Sequence, residues 1–113
     1  MRDYERRFWL MDELGNLTQA KDIDDWSQKM EWDHTQIELT GNDDIYVSTV
    51  FLGIDHNWGF EDEKRPILFE TMVFGGEYDE LQFRYCTIDE ARAGHKDVCW
   101  RVFHKVGVKS EGG

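Results

Sequence analysis

The apolar positions along the chain alternate between two periods, and the changes of period mark the elements. Residues 4–11, "YERRFWLM", read as a first strand, with a turn at Gly15-Asn16 and a short second strand at "LTQA", together an N-terminal hairpin. In "DIDDWSQKMEW" the period lengthens: Ile23, Trp26 and Met30 recur at steps of three and four, which predicts a short helix that buries that side. Asp22 or Asp24 can accept backbone N–H groups at its start, and the neighbouring acids suit the positive end of the helix dipole. Strands return at "HTQIELT" from His34, "IYVSTVFLGI" from Ile45 and "PILFETMVF" from Pro66, the first two separated by a hairpin loop at Gly41-Asn42-Asp43-Asp44. A further strand, "YDELQFRY", follows the Gly75-Gly76 break, and an antiparallel meander is the natural connection.

The last element has the sharpest signature. Thr87 and Glu90 in "TIDE" have the spacing of a capping box, and Ile88, Ala91, His95, Val98, Cys99, Val102 and Val106 then fall on one helical stripe. That stripe needs an apolar partner, which only the sheet offers. The expected architecture is therefore α+β: an antiparallel sheet of four or five strands, the C-terminal helix on one face, and a short helix in the N-terminal half. Residues 1–108 are expected to form a single domain and 109–113 a polar, frayed tail. One helix covers little of such a sheet, so its other face or an exposed edge is left for a homodimer to close.

Composition narrows the function classes. A chain of 113 residues holds one core of ordinary size, and 40% hydrophobic and 14% aromatic residues are a folded composition. The net charge of −11, from 24 acids against 13 bases, argues against a direct grip on nucleic acid and against anionic membranes. Such a surplus serves solubility, attraction to a basic protein partner, or cation binding. No apolar run approaches the roughly 20 residues that span a bilayer, and "MRDYERRFWLMDELG" lacks the apolar centre of a signal peptide, so a cytoplasmic location is expected. Cys86 and Cys99 form no CxxC pair, and reduced thiols are the default.

Asp55, His56, Glu70 and His95 are the main candidates for chemistry, with Cys99 a candidate partner of His95. Asp55 and His56, followed by Asn57, sit where the long strand ends; a histidine beside a carboxylate can act as a general base or a metal ligand, while the same residues also make ordinary turns. Glu70 interrupts an apolar run and shares its strand face with Leu68, Met72 and Phe74, so it must pair with a base, reach solvent or hold a raised pKa. His95 and Cys99, four apart on the final helix, could share a metal or simply be buried. For binding, the candidates are Trp58, an aromatic anchor in the loop after His56, and the acids Glu61, Asp62 and Glu63, which with the acids of "NDDIY" and "GGEYDE" are expected to form a phosphate-like surface. No Gly-rich phosphate loop, nucleophile elbow or basic aromatic patch occurs, and no cofactor is expected.

"VSTVFLGIDHNWG", "PILFETMVFGG" and "RYCTIDEARAGH", in that order and spacing, resemble a family of small uncharacterised proteins of tailed phages and prophages, and "DELGNLTQAKDIDDWSQKME" is similar to that family's opening. The resemblance covers nearly the whole chain and implies a phage-type origin, hence the host cytoplasm. It transfers no activity. Ser48, Thr49, Asp55, His56, Glu70, Thr71, Thr87, Gly94 and His95 are the family-type positions, whereas Trp58 and the "FEDEKR" stretch after Gly59 depart from the commoner small-residue loop. The leading expectation is a small acidic protein-binding protein that inhibits a host nucleic-acid-handling or defence complex, its carboxylates standing where phosphates would lie. A small metal-dependent or acid–base enzyme using Asp55, His56, Glu70 and His95 is the second, and a phage structural or assembly protein the third.

Overall fold

The computed structural model describes residues 7–57 and 65–104. The start of the expected first strand, Trp58, Glu61, Asp62 and Glu63, Val106 and the 109–113 tail lie outside the described residues. The chain has an α+β fold. A hairpin of β1 (Trp9–Met11) and β2 (Leu17–Gln19) leads into α1 (Ile23–Lys29). A four-stranded antiparallel sheet then runs in chain order through β3 (Gln36–Gly41), β4 (Tyr46–Phe51), β5 (Phe69–Phe74) and β6 (Gln82–Tyr85), and α2 (Ile88–Cys99) crosses one face. A π-helical turn, Trp100–His104, extends α2. No helix among the described residues is long and apolar enough to cross a membrane.

Local chemistry sets these boundaries. Asp22 caps α1 by accepting the Asp25 N–H at 2.8 Å, and the helix anchors through Trp26, whose indole N–H donates to the Trp9 carbonyl at 3.0 Å while its ring meets Phe8 and Trp32. Trp26 and Met30 are buried as the spacing predicts, but Ile23 is 55% exposed, because the helix meets the hairpin through Trp26 and, among the described residues, its first turn joins neither apolar cluster. The strand expected from Tyr78 begins only at Gln82, because Leu81 N–H closes a turn on the Tyr78 carbonyl and Glu80 takes a positive φ of 73°. At the other end, a 3-10 turn over Trp32–His34 delays β3 until Gln36. The Gln36 amide then donates to the Glu38 and Thr49 carbonyls across a bulge in the β3–β4 register.

Strand alternation decides which side is core. Val47, Thr49 and Phe51 of β4 and Phe69, Thr71 and Val73 of β5 are buried beneath α2, which contributes Ala91, His95 and Val98, and the π-helical turn, which contributes Val102. Val47, Val73, Val98 and Val102 form one apolar cluster; Phe51, Leu68, Phe69 and Ala91 join α1's Trp26 and Met30 in another. Each such aliphatic side chain stabilises by roughly 1.5–3 kcal/mol when fully buried. Leu68 departs from the expected alternation: it precedes the regular strand, its N–H and carbonyl bond Tyr85 and Leu52, and its side chain is fully buried rather than sharing the Glu70 face. The capping box forms as expected, the Glu90 carboxylate reaching the Cys86 and Thr87 N–H groups and also pairing with Arg65.

Candidate functional site

Between the sheet and α2 a row of polar side chains crosses all four strands. Thr71 on β5 stands directly opposite Thr49 on β4, and their hydroxyls are 2.5 Å apart. Thr49 Oγ1 lies 2.7 Å from His95 Nδ1, and Thr40 Oγ1 of β3 lies 2.9 Å from His95 Nε2. At one end the Tyr85 phenol on β6 lies beside Thr71; at the other, the Cys99 thiol lies beside Thr40. Thr49 and Thr71 are fully buried and His95 is 2% exposed. A neutral imidazole offers one donor and one acceptor, and a threonine hydroxyl can serve as either, so both tautomers leave His95 satisfied. Among the described residues no buried side-chain nitrogen or oxygen lacks a partner.

The electrostatics of the row follow from burial. Desolvation pulls the His95 pKa below the ordinary histidine value, and the Glu38 carboxylate, 3.9 Å from Nε2, opposes that only in part. His95 is therefore neutral near pH 7. Burial raises the Tyr85 phenol, against the Thr71 hydrogen bond, and raises the Cys99 thiol, against the bond to Thr40. A thiol held protonated in this way is a weak nucleophile and a weak metal ligand. Gly94 lets α2 approach this closely, because a Cβ there would overlap the Tyr85 ring.

The other chemical candidates lie elsewhere. Asp55 Oδ1 accepts the N–H groups of Asn57 and Ile67, both at 2.8 Å, and so ties the end of β4's extension to the segment that leads into β5. His56 Nδ1 donates to the Ile54 carbonyl at 2.8 Å. Glu70 faces the opposite side of the sheet from Thr71 and pairs with Arg84 of β6 at 3.0 Å, the cross-strand bridge being one of its expected alternatives. Glu70 and His95 are thus separated by the sheet itself. No group of three or more His, Cys, Asp or Glu among the described residues is placed to hold a metal.

The sequence reading singled out His95 but missed the row it belongs to. The available signal was a polar residue at each strictly inward position: Thr49 between Val47 and Phe51, Thr71 between Phe69 and Val73. The acids of "NDDIY" and "GGEYDE", which the sequence offers together with "FEDEKR" as a phosphate-like surface, lie at one end of the sheet. The β3–β4 turn carries Asp43 and Asp44, the β5–β6 turn carries Glu77, Asp79 and Glu80, and the two turns touch: a Cβ on Gly75 would strike the Asp44 carbonyl. All these acids are exposed, and no Lys or Arg lies in either turn. Asn42 holds the first turn through the Asp44 and Ile45 N–H groups, and Asp79 holds the second by accepting from Gly75 N–H at 2.7 Å. One end of the sheet is therefore a firmly built anionic surface. Compared with known proteins, the chain matches no family model, no curated protein and no solved structure.

Proposed function

We propose that this chain works by binding a protein with a basic surface, as a non-enzymatic phage-type protein whose carboxylates occupy ground that nucleic acid would otherwise take. Inhibition of a host nucleic-acid-handling or defence complex is the role that fits such a partner. The observation that carries this reading is the anionic sheet end, where Asp43, Asp44, Glu77, Asp79 and Glu80 are brought together by two abutting turns whose own sequences contain no Lys or Arg. Turns held by side-chain hydrogen bonds present their charges in fixed positions, which is what recognition of a charge pattern requires. Weighing against acid–base catalysis, both His95 nitrogens are engaged, Asp55 clamps backbone, and Glu70 is paired.

The test replaces Asp43, Asp44, Glu77 and Glu80 by their neutral amides. Asp79 is kept, because its carboxylate holds the turn. Tagged wild type and variant are compared in capture from bacterial lysate at increasing salt, with mass spectrometry of what is retained. A protein held by wild type at low salt, released as the Debye length shrinks from roughly 10 Å to roughly 3 Å, and lost from the amide variant is the expected result. A partner retained equally by the variant and at high salt refutes the reading. Amides at Glu61, Asp62 and Glu63 form the parallel arm for the loop acids singled out by sequence.

A further inference from the structure

The face of the sheet turned away from α2 carries its own pattern. On it lie Leu39 of β3, Tyr46, Ser48 and Val50 of β4, Met72 and Phe74 of β5, and the Glu70–Arg84 pair. Among the described residues no element covers it. Its apolar part is concentrated at one end. Leu39 is 59% and Phe74 37% exposed, and the Tyr46 and Phe74 rings stack with centroids 4.8 Å apart and planes at 17°. Opposite Tyr46 in the register sits Gly41, which has no side chain to fill the space. Leu39, Gly41, Asp43, Tyr46, Ser48 and Phe74 consequently line a shallow depression. Asp43 belongs to the anionic sheet end, so the aromatic floor and the carboxylates adjoin.

We propose that this depression is the docking floor for the basic partner: it seats an apolar or aromatic side chain of a short partner segment, whose flanking Lys or Arg residues meet the acids of the sheet end. This rests on the proposed function and adds to it the place and the chemistry of recognition. Charge complementarity selects the occupant. A second copy would bring the same surplus of acid, −11 over the chain, against this surface. Size selects it too. Four strands about 4.8 Å apart and about 20 Å long present only ~300 Å², well below the roughly 800 Å² per partner of a stable globular interface. A helix or an extended segment, anchored by one or two side chains, fits that area. The other half of the face is polar, with Glu70 and Arg84 paired, and it bounds the apolar part on that side.

Three fluorescent peptides test this by anisotropy: an amphipathic Lys/Leu peptide, the same peptide with Leu replaced by Ser, and its Glu/Leu counterpart. The protein variants are Leu39→Ser with Phe74→Ser, and the amides at Asp43, Asp44, Glu77 and Glu80, each checked for native circular dichroism. Wild type is expected to bind Lys/Leu, to bind Lys/Ser about tenfold more weakly, and to leave Glu/Leu free. The serine double variant should lose about tenfold for Lys/Leu and nothing for Lys/Ser, while the amide variant weakens both. Amide-resolved NMR should place the Lys/Leu shifts at Leu39, Tyr46, Ser48 and Phe74 as well as at the two turns. If the serine variant binds Lys/Leu as wild type does while the amide variant does not, the floor is refuted and the acidic reading stands. If neither variant changes binding, both fail. A wild-type dimer in sedimentation that Phe74→Ser converts to monomer overturns the proposal in favour of a second copy.

Discussion

Thr49→Val removes one oxygen from the centre of the buried row and keeps the shape of the side chain. In the wild type that oxygen lies 2.7 Å from His95 Nδ1 and 2.5 Å from Thr71 Oγ1, and all three residues are buried. Thr71 keeps the Tyr85 phenol as a polar neighbour, but His95 Nδ1 retains no partner. An orphaned buried polar group costs about 1–3 kcal/mol, and the added methyl offsets at most roughly 0.8 kcal/mol. A net loss of about 1 kcal/mol is expected, which for a domain of this size lowers Tm by roughly 4 °C. Thermal and urea unfolding followed by circular dichroism and tryptophan fluorescence measure it. The stronger test is a cycle with His95→Leu, which removes the orphan: in that background Thr49→Val should cost under about 0.5 kcal/mol, because an apolar pair has no unmet hydrogen bond. Equal costs in the two backgrounds, or a Thr49→Val protein as stable as wild type, would show that the row does not act as a connected unit.

Two further perturbations probe the same interface. Gly94→Ala should destabilise, although alanine is the better helix former by about 1 kcal/mol, because its Cβ would overlap the Tyr85 ring and force α2 off the sheet; a raised Tm would mean that the helix has room to spare. For pH, the folded-state pKa of His95 lies below its ordinary value, so between the two the unfolded chain binds more protons and stability falls as pH falls. Its contribution is whole above about pH 6.5 and is lost as pH drops through the folded pKa. The stability difference between wild type and His95→Gln, measured by urea titration, should shrink over that window, and a difference that stays constant down to pH 5 contradicts the burial argument. Glu90, lowered by Arg65 and by the Cys86 N–H, adds a separate loss only below its ordinary carboxylate range.

The sequence by itself determined the element types and which residues of α2 face inward, because both follow from rules local to the chain. Period two in "YVSTVF" and "FETMVF" sorts side chains to two faces whatever the fold, and the Thr87–Glu90 box starts a helix through hydrogen bonds within one turn. Boundaries were less legible, since Ile23 and Leu68 depend on where a neighbouring element ends. What only tertiary structure decided was which residues meet. His95 could have been a ligand, a base or a core residue; the antiparallel register β3-β4-β5-β6 set Thr40, Thr49 and Thr71 beneath it, and pairing across some tens of residues has no local signature. Likewise the sequence offered the acids of Asp43–Asp44 and Glu77–Glu80 as parts of one surface but could not place them, and they adjoin because β4 and β5 are hydrogen-bonded neighbours whose turns emerge at the same end of the sheet. Side-chain type is written in the chain, but proximity is set by strand order, and the local field of a charge depends on proximity.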